Sequence, residues 1–386
     1  MLGFSTIVAF AASAVALLYV KDLRLPYPCF QVVQTVPSEQ RAAPSDLQGP
    51  YATNLHLQKA KKLFESEISG VETVSISQEG TLYLPDKLGR IWTSKDGGRG
   101  KLEQLGYAGG RPLGGHVYPN GDAIFCDMVK GLVLVNGTSG LTTILAKRVS
   151  LTASKMPGSE IIFADDLDVA SDGTVYFSTL TNVPPIPAST NEYDALKPCV
   201  LNILQGSAQG RLMSYNPSTG FTQVLADNIW QANGIAVSPD ETFVVVASTG
   251  STRLYRYWLK GSKAGSLEIF LDNLPGFPDG VSKASDGNFW VAINSAPVPK
   301  VVGVTMGSRF LRWVVGWVPA LAGELNAYGL ILKVSPRGEV LQSFHDPSGT
   351  ISMVTAVTEY NGKLYTGHLS RDYITVLDLK DVPSLQ

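Results

Sequence analysis

Four side chains in this sequence carry oxygen atoms and stand directly ahead of apolar, strand-forming runs: Glu72 in GVETVSI, Asp165 in FADDLDV, Asn233 in ANGIAV and Asp279 in PDGVS. A hard divalent cation such as Ca2+ takes about six to eight oxygen ligands, chiefly carboxylates, amide carbonyls and water. Three carboxylates and one amide are the right donors for such an ion. Taken singly, Asp or Asn before Gly is above all a turn former. What raises these four is that each opens a different copy of one repeated unit.

The repeat is visible by eye. EGTLYLPDKLGRIW, NGDAIFCDMVKGLVLV, DGTVYFSTL with GRLMSYNP, DETFVVVAST with TRLYRYWL, DGNFWVAIN with GLILKVSP, and NGKLYTGHL with YITVLDL are versions of a turn dipeptide, a strand, a loop and a second strand. Alternating apolar residues between Asp-Gly, Asn-Gly and Pro-Asp turns predict short antiparallel strands. A period of about 40 to 50 residues fits four-stranded propeller blades. The six copies predict an all-β, six-bladed β-propeller over residues 56–382. In that fold the innermost strands surround a central axis, so closing the ring would gather residues far apart in sequence.

Composition excludes several classes. The 386 residues carry a formal charge of -2 with a pI near 6.1, without the basic excess that nucleic-acid binding requires. Three cysteines, Cys29, Cys126 and Cys199, are too few for a disulfide scaffold and form no CxxC motif; one pair plus a free thiol is compatible with them. Cys126 beside Asp127 is weak evidence for a nucleophile, since burial is the common fate of such a thiol. No GxSxG, HExxH or GxxxxGK[ST] motif occurs, which removes serine-hydrolase, zincin and P-loop readings.

Residues 1–20, MLGFSTIVAFAASAVALLYV, form an uncharged apolar run of near-membrane-spanning length. It reads as an N-terminal hydrophobic signal-anchor, or as a signal peptide cut near Ala12-Ser13-Ala14. Residues 21–55 follow as a Pro-rich leader, and Leu55–Ser66 has helical spacing with a basic face. Two insertions interrupt the repeat, at about 182–209 and 295–328, the second expected to be the one helical insertion. There Trp313, Val314, Trp317, Val318 and Leu321 share one helical face, with Arg309 and Arg312 nearby. Such a composition suits a membrane-interface helix, a lid over the site, or a helix packed on the propeller. The first of these predicts that a chain beginning near Leu55 still binds liposomes through Trp313 and Trp317.

The segments NGIAVSPDETFVVVAST, LYRYWLKGSKAG and DNLPGFPDG closely resemble the strictosidine synthase-like family, which includes the adipocyte plasma membrane-associated proteins. That family is a branch of the six-bladed propellers that also contain gluconolactonases and paraoxonases. The resemblance runs from Leu55 to Leu379 and implies an axial Ca2+ held by Glu72, Asn233 and Asp279, with Asp165 where relatives usually have Asn. It also implies departures. Thr355 stands where strictosidine synthases have a glutamate, which makes a Pictet-Spengler condensation improbable for this chain. Leu113 stands where paraoxonases have a histidine, leaving His116, three residues on, and His368 as candidate bases. The family further implies a lumenal or extracellular propeller anchored in the endoplasmic reticulum or plasma membrane, where the sequon Asn136-Gly137-Thr138 would be usable.

The expectation is a membrane-associated, Ca2+-dependent hydrolase of esters or lactones, with Asp279 and a histidine in catalysis. A non-catalytic propeller with a structural metal and a protein or lipid partner is the alternative, since two catalytic positions of relatives are empty.

Overall fold

Short β-branched and aromatic runs have two faces to bury, and this chain buries them by stacking sheet on sheet around an axis. The computed structural model describes residues 23–25, 32–41, 43–189, 192–318 and 326–382; the apolar run at 1–20, Cys29 and Leu321 lie outside these. Six four-stranded antiparallel sheets follow one another as blades, the first five running outward in chain order and the sixth completed by an N-terminal strand. Their innermost strands are Ser75–Ile76, Pro112–Val117, Ala164–Val169, Ala232–Val237, Pro278–Lys283 and Ala356–Tyr360.

The ring is closed by Lys61–Leu63, which forms the outermost strand of the last blade and pairs antiparallel with Ile374–Asp378 (Lys61 opposite Val376, Leu63 opposite Ile374). This corrects the helical reading of Leu55–Ser66, of which only His56–Lys59 turns as a 3-10 helix. Tertiary packing overrides helical spacing here: Leu63 and Phe64 pack against the cluster that contains Tyr365 and Ile374. Core clusters fill the spaces between blades. Phe243, Phe270 and Phe289 meet between the fourth and fifth blades with ring centroids 5.9 to 6.1 Å apart. Cys126 is a buried free thiol in the cluster between the second and third, which fits packing and not nucleophilic chemistry.

Four innermost strands break register at the same place. Pairing jumps from Pro112 to Gly115, from Ala164 to Leu167, from Ala232 to Ile235 and from Pro278 to Val281. Such bulges bend a strand and re-aim its side chains. The first residues so re-aimed are Leu113, Asp165, Asn233 and Asp279. Neighbouring inner strands crowd together at these points. A Cβ on Gly234 would lie 2.3 Å from Asp279 O and Val281 N. The glycine after Asn233 is therefore demanded by close packing of backbones around the axis.

Both insertions are helical, not only the second. The first carries a hairpin (Ile186–Ser189, Glu192–Asp194) and α1 (Leu196–Gln205). Asp194 Oδ1 caps α1 by accepting from the backbone N–H of Leu196 at 3.0 Å and Lys197 at 2.8 Å. The second carries α2 (Lys300–Met306) and α3 (Arg309–Trp317), with Ser308 Oγ accepting from Leu311 N–H at 3.2 Å. The leader is not a loose tether. Leu23, Leu25 and Val33 pack with Leu201, Leu204 and Val315 of the helices, and Arg309 Nε donates to Val33 O at 2.8 Å.

Gly234→Ala should therefore destabilise the protein by about 1–3 kcal/mol or more in denaturant unfolding, because two backbones must separate. Gly303→Ala is the control. It lies in α2 with nothing within 4 Å of the added methyl, so stability should hold or rise by up to about 1 kcal/mol.

Candidate metal centre

The bulges bring Asp165, Asn233 and Asp279 to one point, and Glu72 joins them from the segment just ahead of the first innermost strand. Ligand oxygens of Glu72, Asp165 and Asp279 all lie within 4.8 Å of one another, and all three residues are buried. Asn233, also buried, lines the same cavity. Asn294 was not singled out from the sequence, yet its Nδ2 donates to Asp279 Oδ2 at 2.9 Å. Its only signal was its place at the end of the strand NFWVAIN, opposite the fifth innermost strand. Thr355 Oγ1 donates to Glu72 O at 2.7 Å and so holds the backbone of a candidate ligand.

Three carboxylates this close cannot all be charged without a partner. Burial, and then the charge of Asp279 and Asp165, push Glu72 well above the ordinary carboxylate range. Burial, and then the charges of Asp279 and Asp166, push Asp165 up as well. Burial raises Asp279 to about 7, opposed by hydrogen bonds from Asn294 and Asn233. Two oxygens are left over: Glu72 Oε2 and Asn233 Oδ1 are buried with no hydrogen-bond partner. Buried orphan acceptors and mutual repulsion are both relieved by one cation at the centre of the group. The donor set fits a hard divalent ion, with coordination places left for water or ligand.

The cluster lies in a cavity of about 210 Å³ whose remaining lining is mostly apolar. Propeller residues Leu113, Phe163, Leu180 and Phe277 meet Leu196, Cys199 and Val200 of α1 there, with Val302 of α2 and Val315 of α3. Leu113 forms part of the wall. Neither histidine named from the sequence joins this lining. His116 lies three residues further along the same inner strand, in a separate cavity of about 190 Å³ with Asp168 and Lys283, which pair at 2.9 Å. His368 is fully enclosed: Nε2 meets Thr366 Oγ1 at 2.8 Å and Nδ1 meets Ser352 O at 2.9 Å. Burial holds it down to about 4, so it is neutral and committed to packing. Asp166, the second member of the Asp-Asp pair, turns away from the cluster and bolts blades together, accepting from Ile235 N–H at 3.0 Å and Leu167 N–H at 2.8 Å.

The strictosidine synthase profile matches residues 165–262, and the N-terminal profile of strictosidine synthase-like proteins matches 49–94. The adipocyte plasma membrane-associated protein of Salmo salar is 32% identical over 361 residues, covering 88% of this chain and 82% of that protein. The chain belongs to the strictosidine synthase-like family. The protein called strictosidine synthase-like 6 of Arabidopsis thaliana is 31% identical over 286 residues, 73% of this chain and 71% of that one. Among solved structures, a gluconolactonase of Xanthomonas campestris superposes with a TM-score of 0.58 at 17% identity, over 90% of this chain and 99% of its own. Regucalcin of Agrobacterium tumefaciens, a calcium-binding protein, gives 0.53 at 15%, over 82% and 92%. These likenesses establish the shared propeller. Glu72 lies within one family match, and Asp165 and Asn233 within the other.

The electrostatics set a sign. Carboxyls raised in the folded state favour folding below their unfolded values, near 4, and that contribution is lost as pH rises through about 7 for Asp279. Metal-free protein should therefore lose stability relative to Asp279→Asn between pH 5 and pH 8. Added Ca2+ should raise the melting temperature of the wild type, more at pH 8 than at pH 5, and should do so far less for Asp279→Asn. Differential scanning fluorimetry on resin-stripped protein measures both.

Proposed function

We propose that this member of the family is a membrane-associated, Ca2+-dependent hydrolase of apolar esters or lactones. The observation that carries the reading is the cluster of Glu72, Asp165 and Asp279 with orphan oxygens on Glu72 and Asn233, set in an otherwise apolar cavity. A calcium ion held there supplies Lewis acidity toward a carbonyl and countercharge for a developing oxyanion. The chain's own residues do the rest. Asn294 and Asn233 orient Asp279, Thr355 fixes the Glu72 backbone, and Leu113, Phe163 and Phe277 admit hydrocarbon while excluding bulk water. With no histidine in the lining, a proton released by an attacking water passes to a carboxylate of the cluster, and Asp279, hydrogen-bonded by both asparagines, is the candidate.

Membrane association rests on the leader and on helices α1 to α3, which wall the cavity as its roof. Relatives carry the name adipocyte plasma membrane-associated protein. Among the described residues no helix is long and apolar enough to span a bilayer, so an anchor falls to residues 1–20. Leu23 packs with residues of the helices, and Trp317 Nε1 donates to Arg24 O at 3.1 Å. Beside this point α3 and its end expose Phe310, Leu311, Trp317 and Val318. The apolar face differs from the sequence-based one: Trp313 is half-buried against the leader cluster, and Arg309 and Arg312 hold the leader instead of facing lipid. Anchor and exposed face would meet one leaflet, with the propeller lumenal or extracellular in the endoplasmic reticulum or plasma membrane.

Turnover of an arylester and lactone panel should fall by roughly a hundredfold with chelator and in Asp279→Ala. Activity indifferent to both removes the mechanism. Stoichiometric Ca2+ binding without turnover of any ester or lactone favours the non-catalytic alternative, a structural metal beneath a protein- or lipid-binding face.

Liposome flotation tests the roof. The chain should be shortened to begin at Leu23, since starting at Leu55 would remove residues that pack on the helices. The shortened protein should float with liposomes, and Phe310→Ala with Trp317→Ala should reduce this while leaving the melting temperature unchanged. A shortened protein that never floats leaves residues 1–20 as the sole membrane determinant.

A further inference from the structure

Beside the axial cavity lies another of about 290 Å³, which shares the wall residues Ala195, Leu196 and Leu369 with it. Its chemistry is different. Ser69, Lys87, Arg111, Glu192, Tyr193 and Ser370 bring charges and hydroxyls to its lining. Arg111 is 1% exposed, yet its Nη1 has no hydrogen-bond partner and Nη2 makes only a long 3.5 Å contact with Leu369 O. A buried guanidinium ordinarily has a carboxylate or several carbonyls to meet its fork of donors.

The acids around Arg111 make their bonds to other groups, and one oxygen each of Asp127 and Glu72 is itself buried without a partner. Asp86 accepts from Arg90 Nε at 2.6 Å and Trp92 Nε1 at 2.9 Å. Asp127 Oδ1 accepts from Val129 and Lys130 N–H, both at 2.8 Å. Asp194 caps α1, Glu192 pairs with Lys87 at 3.0 Å, and Glu72 belongs to the acidic cluster. Among the described residues none of these acids forms an ion pair with Arg111. The backbone packs closely beside it: a Cβ on Gly70, at φ +61°, would lie 2.8 Å from Leu369 O, 2.9 Å from Lys87 Cβ and 3.3 Å from Arg111 Nη2, so this edge of the cavity demands glycine.

We infer that this cavity is an oxyanion-binding site, in which Arg111 takes a carboxylate or phosphate group at its free donors and Lys87 exchanges Glu192 for the same group. The site is independent of the hydrolase reading and stands or falls by binding alone.

Calorimetric titration of the full chain, stripped of metal, with sodium phosphate and separately with sodium acetate tests it. Stripping prevents calcium phosphate from forming at the cluster, and the two anions tell a phosphate site from a carboxylate site. Saturable binding of at least one anion is expected, weakened roughly tenfold or more in Arg111→Gln. Because Arg111 is buried and its variant can fail to fold, two changes at less buried positions carry the same test. Lys87→Gln removes one cation, and Ser370→Asp sets a repelling charge at an exposed rim position. Both should weaken binding several-fold with an unchanged melting temperature in anion-free buffer. Absence of saturable binding of either anion, or binding that neither Lys87→Gln nor Ser370→Asp moves, overturns the assignment.

Discussion

Carboxyl groups buried within reach of one another are the constraint around which this molecule is arranged. Glu72, Asp165 and Asp279 come from three blades and bring their oxygens within 4.8 Å, which no local segment of chain could achieve or tolerate. The cost is met by structure far from the site. Lys61–Leu63 closes the ring on the last blade, and each innermost strand is held by the blade outside it. Glycine at 234 lets neighbouring backbones close to a distance that any side chain would forbid. The cluster is thus strained electrostatically on a scaffold rigid enough to keep it so, which is the condition for strong cation binding.

The bulges divide labour along each inner strand. At the register break the side chain points to the roofed cavity, as with Leu113, Asp165, Asn233 and Asp279; further on, His116, Asp168 and Lys283 serve a separate polar space. A shift of one or two residues therefore moves a group from one environment to the other. His116 stays out of the cluster for this reason, although its type and its distance from Leu113 made it a reasonable base. His368 fails differently, since both of its ring nitrogens are spent inside the fold.

The roof joins parts that the sequence lists separately. Helices α1, α2 and α3 come from two insertions, and the leader packs against them through Leu23, Leu25 and Val33. Apolar residues of the helices consequently have two destinations. Val302 and Val315 face the cavity, whereas Phe310, Leu311, Trp317 and Val318 face outward. Trp313 reads as part of the outward face by spacing alone, but it packs on the cluster that joins leader and insertions, which brings together segments separated by most of the chain.

Turn dipeptides and alternating strands determined the six-bladed architecture, because hairpin geometry and strand amphipathicity are local properties repeated along the chain. The four candidate ligands were legible for the same reason: each occupies one phase of that repeat. Other features depended on what lies opposite in space. Lys61–Leu63 is a strand only because Ile374–Asp378 offers an open edge, and Asn294 matters only because pairing sets it against Asp279. The burial of both His368 nitrogens, the helical form of the first insertion's second half and the unpaired Arg111 likewise follow from packing and desolvation. Those are sums over neighbours from the whole fold, and no window of sequence contains them.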